Sequence, residues 1–299
     1  MRRVSLLAAL VLAATAHAVA QSSSRNLPQF DGARALEITR HYVAVGPRWI
    51  GSPGHAKAEA FIKDQFRHDH LEEDTFTTAT PAGPMTMHNF IVRFPGKKDG
   101  VIVLATHYET NYPLRNIHYV GANDGGSTAG LLIEMASYLR GRTLDGYSVW
   151  LLFTDGEEAV QNWTAADSVY GSRHLAEKWQ ADGTLKRIKA FILADMLGDR
   201  DLDVQRDLNS TPWLEDLVLE AAAQYGWQSY FFQRKTYDED DHIPFVHRGV
   251  PCADLIDLDY GYQNAFWHTA DDTMDKLSAK SLTIAGDTIL ETVHLLDQR

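Results

Sequence analysis

The sequence predicts an α/β sandwich, a single domain in which a central mixed, mostly parallel β-sheet is flanked by helices to make three layers. Three observations carry that expectation. Short runs rich in Val, Ile and Leu recur along the chain, amphipathic helical patterns lie between them, and 299 residues that are 44% hydrophobic and 23% charged have ordinary globular composition.

The apolar runs are Phe90 to Phe94, Val101 to Ala105, Val149 to Phe153, Ala190 to Ala194 and Ala253 to Leu258, each the length of a strand buried on both faces. Gly130 to Leu139 places Leu131, Leu132, Met135 and Leu139 on one helical face, and Trp213 to Tyr225 does the same with Leu214, Leu217, Val218 and Ala221. Ala33 to Val45, His55 to Arg67 and Ala279 to Leu296 are further amphipathic helices. The short Gly96 to Gly100 stretch predicts an antiparallel hairpin between the strands on either side. No internal repeat or low-complexity linker interrupts the pattern, so residues 21–299 read as one domain.

Residues 1–20 read differently, as a cleaved secretory signal. Arg2 and Arg3 precede a short apolar run from Leu6 to Ala14, and Ala16-His17-Ala18 and Ala18-Val19-Ala20 suit a signal peptidase. The expected location is therefore secreted or periplasmic, without a stable membrane anchor. With 28 Lys and Arg against 40 Asp and Glu, the formal charge of -12 repels a polyphosphate and argues against a nucleic-acid partner. The one cysteine, Cys252, excludes an internal disulfide and a zinc site built from several thiolates. It sits inside a predicted strand, where a buried, small apolar role is expected and not that of a thiol nucleophile.

Polar residues gather just after the predicted strands. His107 follows Val101 to Ala105; Glu157 and Glu158 follow Val149 to Phe153; Asp195 follows Ala190 to Ala194; His268 lies on the loop after the last strand. Ligands of open α/β sheets sit beyond the carboxyl ends of the strands, so these residues can converge on one site. Asp124 joins them from the Gly121 to Gly126 loop at a helix start. His107, Asp124, Glu158, Asp195 and His268 thus form a candidate oxygen and nitrogen ligand set suited to zinc. Singly, each has an ordinary alternative: Asp124 as a turn or cap residue, Glu157-Glu158 as a helix first turn, His107 as a core histidine. If a metal is present, one of the adjacent glutamates can bind it while the other exchanges protons. No His-Glu-x-x-His motif or P-loop is present, and Gly125-Gly126-Ser127-Thr128-Ala129 lacks the final glycine of a nucleophile elbow.

At these residues the chain resembles the zinc-dependent glutaminyl-peptide cyclotransferases, or glutaminyl cyclases, themselves similar to a branch of the zinc aminopeptidase fold. The strings that carry the resemblance are Phe153-Thr154-Asp155-Gly156-Glu157-Glu158-Ala159, Asp167 to Ala176, Glu239 to Phe245 with Arg248 to Pro251, and Trp267-His268-Thr269 with Asp271-Asp272. The resemblance implies one zinc held by Asp124, Glu158 and His268, with His107 and Asp195 as second-metal candidates if the protein is a di-zinc aminopeptidase. It implies Glu157 as general acid/base, Asp195 and Asp240 as acids around it, and Trp163 and Trp267 as walls of a narrow substrate pocket. The implied substrate is a peptide or protein with an N-terminal glutamine, converted to pyroglutamate with release of ammonia. A di-zinc aminopeptidase is the alternative, and a non-catalytic peptide-binding domain the third. Two positions depart from the family: Asp254, in Cys252-Ala253-Asp254, stands where animal enzymes have a second histidine, and Glu239 stands where many relatives have a neutral amide, adding charge that favours a cationic amine.

Overall fold

The computed structural model describes residues 27–141 and 143–299, so the expected signal segment lies outside the described residues. The helices are α1 (Gly32–Val43), α2 (Pro53–Gln65), α3 (Gly126–Leu139), α4 (Tyr170–Ala181), α5 (Pro212–Tyr225), α6 (Ile243–Val246) and α7 (Ala279–Asp297). The strands are β1 (His70–Thr80), β2 (Gly83–Phe94), β3 (Gly96–His107), β4 (Leu144–Thr154), β5 (Ile188–Asp195), β6 (Val204–Asp207), β7 (Phe231–Thr236) and β8 (Cys252–Ile256). They form one eight-stranded sheet in the order β1-β2-β4-β3-β5-β8-β6-β7.

The centre of the sheet is parallel, β4, β3, β5 and β8 running side by side, while β1, β2 and the β6/β8 contact are antiparallel. Side chains alternate between its faces. Ile102, Leu104, Ile192 and Ala194 join a core with α1, α2, α3, α5 and α7, whereas Val101, Val103, Phe191 and Leu193 face Leu175 and Trp179 of α4 and Phe245 of α6. Burial on both faces is the reason these strands read as unbroken apolar runs. Cys252 is a free, buried thiol in β8.

The expected hairpin across Gly96 to Gly100 is wrong. That stretch is not a turn but the start of β3, and β4 lies between β2 and β3, antiparallel to the first and parallel to the second. A side chain on Gly96 would collide with Tyr147 of β4, with its Cβ 2.3 Å from the backbone, so glycine there serves strand contact. The true hairpin joins β1 and β2 through residues 81–82, with Thr80 opposite Gly83.

Candidate active site

The residues after β3, β4 and β5 meet at the carboxyl edge of the sheet, where a cleft of about 740 Å³ opens. Asp124, Glu157, Glu158, Asp195, Glu239, Asp240, Trp163, Trp267 and His268 all line it. His107 lies beneath, fully buried, with Nε2 3.1 Å from Asp124 Oδ1 and 3.3 Å from Asp195 Oδ1. The cleft is not the narrow pocket expected from two tryptophans. Pro113, Leu114, Tyr237 and Leu258 widen it into a groove with room beyond one glutamine side chain.

Asp124 is set by its loop. Gly125 takes φ +68°, and a Cβ there would come within 2.9 Å of both Glu109 O and the His107 ring, so only glycine makes the turn into α3. Both carboxylate oxygens of Asp272 accept from this loop, Oδ1 from Asn123 N at 2.8 Å and Oδ2 from Asp124 N at 3.3 Å. Arg48, wholly buried, donates to Tyr108 O, Val120 O and Gly121 O at 3.0, 2.5 and 3.0 Å, tying the end of β3 to the Asp124 loop. Tyr119 Oη donates to Asp124 Oδ2 at 2.5 Å.

Glu157 and Glu158 are set by an excursion between β4 and α4. Val169 adopts φ +44°, a costly conformation for a β-branched residue. Its N–H donates to Glu157 O at 2.7 Å, and Tyr170 N–H donates to Gly156 O at the same distance. The Asp167 carboxylate accepts from the N–H groups of Val160, Gln161 and Asn162 and from Tyr170 Oη, closing the arm that carries Trp163.

Glu158 is gripped on one side only. Its N–H donates to Glu109 Oε1 at 3.1 Å, and Asn111 Nδ2 donates to its Oε2 at 2.6 Å. Its other oxygen, Oε1, is buried and accepts no hydrogen bond, yet lies 3.0 Å from His268 Nε2. His268 Nε2 is also 3.2 Å from Asp124 Oδ2. Tetrahedral zinc with bonds of about 2.0–2.2 Å separates its ligand atoms by about 3.3 Å. The three side chains therefore fit a zinc ion, and the orphaned Glu158 oxygen is what such an ion would satisfy. Burial opposes charge on His268, but Glu158 and Asp124 override it and push its pKa up to about 11; a proton and a metal cation compete for the same atoms.

Glu157 remains outside that cluster. Burial first and the Asp240 charge second raise its pKa well above the usual carboxylate range, against the lowering effect of His107. Asp240 is itself raised by burial and then by Asp195, Asp241 and Asp238. The site is thus a concentration of buried acids. Asp254 stands behind the cleft rather than in it, fully buried, with neither carboxylate oxygen hydrogen-bonded and His242 Nδ1 3.7 Å away. Trp163 and Trp267 are each 40% exposed at the mouth, and the Trp267 ring stacks on His268 with centroids 4.1 Å apart.

Sequence reasoning missed Arg48, Glu109, Asn111 and Tyr119. Glu109 and Asn111 continue the end of β3 past His107, so the strand-end rule extends to them; nothing local marks Arg48.

The model of peptidase family M28 matches residues 89–293. The chain is 31% identical over 253 residues to a Drosophila melanogaster glutaminyl-peptide cyclotransferase, covering 76% of this chain and 70% of that protein. It is similar to the crystal structure of an Acidobacteriales bacterium glutaminyl cyclase with a TM-score of 0.90 and 59% identity, over 92% of this chain and 97% of that one. The Porphyromonas gingivalis glutaminyl cyclase is matched at 26% identity and a TM-score of 0.80, over 91% and 99%. With a family model running from within β2 to α7 across the site, and a cyclotransferase 31% identical over 76% of this chain and 70% of its own length, the chain belongs to peptidase family M28 and, within it, to the glutaminyl cyclases.

Proposed function

We propose that the chain is a glutaminyl-peptide cyclotransferase that turns the N-terminal glutamine of peptides or proteins into pyroglutamate on a single zinc ion. The observation that carries this reading is the division between two adjacent glutamates: Glu158 offers a free oxygen to His268 and Asp124, while Glu157 lines the cleft outside that cluster. Bound by Asp124, Glu158 and His268, zinc supplies Lewis-acid polarisation of the glutamine γ-carbonyl.

The rest falls to the chain. Trp163 and Trp267 wall the mouth and hold the glutamine side chain curled toward its own α-amine, while Glu239 favours a cationic amine on approach. Once the bound amine has released its extra proton to solvent, its nitrogen bonds to the γ-carbonyl carbon as the bond from that carbon to the amide nitrogen breaks. Glu157 accepts the proton the amine loses and passes it to the departing ammonia. Asp195 and Asp240 keep that acid/base in place. Because the nucleophile belongs to the substrate, no activated water is needed, which separates this chemistry from peptide hydrolysis on the same fold.

A Gln-initiated peptide incubated with and without a zinc chelator, then weighed by mass spectrometry, tests the reading. Chelator-sensitive loss of one ammonia is the expected result. Loss of the whole first residue would overturn it in favour of the di-zinc aminopeptidase, with His107 and Asp195 holding the second ion. We further propose that residues 1–20 are removed on export, leaving 21–299 as the catalytic domain; none of the described helices is long and apolar enough to cross a membrane.

A further inference from the structure

On the far side of Trp163 lies a second, smaller cavity of about 190 Å³. It shares Trp163, Glu239 and Asp240 with the cleft, so a peptide leaving the cleft past Trp163 meets it directly. Its walls differ in charge from those of the cleft. The described residues lining the cleft include many carboxylates and no lysine or arginine, whereas the side cavity sets Arg173 and Arg248 against three carboxylates, Glu177, Glu239 and Asp240, with Val169, Ile243 and Pro244 supplying apolar surface.

The two arginines are not equivalent. Arg248 donates to Gln180 Oε1 at 2.9 Å and Pro244 O at 2.8 Å, and Glu177, also on the cavity wall, lies 3.9 Å from it. Arg173 has no carboxylate among its contacts: its guanidinium donates to Ala166 O at 3.2 Å and lies over the Tyr170 ring, and its buried Nε has no hydrogen-bond partner. Arg173 is half-buried and meets no carboxylate among the described residues, so the part of its guanidinium beyond the buried Nε can take an incoming carboxylate as a charge-assisted bond.

We infer that this side cavity is a subsite for an acidic side chain of the substrate, one carried within the first few residues after the N-terminal glutamine, with Arg173 as its specificity-determining contact. The inference rests on the cyclase reading above and narrows its substrate class. The acid-lined cleft repels a carboxylate immediately beside the reacting glutamine, and Arg173, on the wall of the cavity past Trp163, is a nearby cation that no carboxylate among the described residues contacts.

The test uses the full chain and Gln-initiated alanine peptide amides carrying Glu or Gln at the second, third or fourth position. At one position, the Glu peptide should exceed its Gln counterpart about fivefold in kcat/KM, the size of a partly exposed ion pair. That ratio should collapse toward one in Arg173→Met, persist in Arg173→Lys and shrink in the wild type as salt is added. Glu favoured at no position while Gln peptides still cyclise would overturn the subsite and leave the cyclase reading standing. A preference that survives Arg173→Met, or one indifferent to salt, would overturn it as well. If no Gln peptide cyclises, the cyclase reading itself falls and takes the subsite with it.

Discussion

Two clusters of one histidine, one aspartate and one glutamate flank the same loop after β4. In one, His55 Nε2 lies 2.9 Å from Asp155 Oδ1 and its Nδ1 3.4 Å from Glu59 Oε1, and the second Asp155 oxygen accepts from His88 N at 2.9 Å. In the other, three residues on, Glu158 Oε1 is left without a donor among Asp124, His268 and Glu158. Composition is the same and the chemistry is not. The first cluster uses its polar atoms on one another, so it anchors α2 and β2 to the active loop. The second withholds one oxygen, and an unmet buried carboxylate oxygen is a place for a cation.

The largest effect that sharpens this contrast comes from Glu157, the acid beside the second cluster but outside it. Glu157→Gln should lower cyclase turnover by about 10²–10⁴-fold while the fold stays intact, read by single-turnover kinetics. Turnover close to wild type would remove the proton-transfer role.

Next is the first cluster, which should matter for stability and not for chemistry. Burial opposes charge on His55, but Asp155, then Glu59 and Glu109, push its pKa up to about 9 from 6.5. A pKa raised in the folded state means that the contribution is fully present below about pH 6.5 and is lost as pH climbs through about 9, a change on the order of 3 kcal/mol. Denaturant unfolding across that window should show the decline in wild type and a flatter profile in His55→Asn. Parallel curves would mean that the pair gives no net charge stabilisation.

A smaller effect is expected at Tyr119, which orients Asp124. Tyr119→Phe should weaken zinc binding by about 10–100-fold in a chelator competition, with little change in turnover of the loaded enzyme. The smallest is Trp267→Ala, which removes the ring stacked on His268; KM for a Gln peptide should rise about two- to tenfold.

What was legible in the sequence follows from the same physics. β3, β4, β5 and β8 are buried on both faces and so betray themselves as apolar runs, and the polar residues after them fall where an open sheet binds its ligand. β1 was invisible because its Thr- and Glu-rich segment leaves much of its length exposed. The hairpin expectation reads a short, glycine-bounded stretch as a turn, although the chain passes through Pro95 and Gly96 into a strand two positions across the sheet, with β4 between. Asp124, Glu158 and His268 were nameable, but the free Glu158 oxygen that distinguishes them from His55, Glu59 and Asp155 depends on where Asn111, Tyr119 and Arg48 fall. The Asn111 and Arg48 contacts span tens of residues, and the Tyr119 contact, only five residues long, belongs to a loop with no regular pattern.

Of the two neighbouring glutamates, we propose that one holds the cation and the other does not. Zinc content per chain, measured on purified Glu158→Gln and Glu157→Gln beside the wild type, tests it most directly. One zinc is expected in the wild type, one retained in Glu157→Gln and almost none in Glu158→Gln. Zinc lost from Glu157→Gln, or kept at full content in Glu158→Gln, would contradict it.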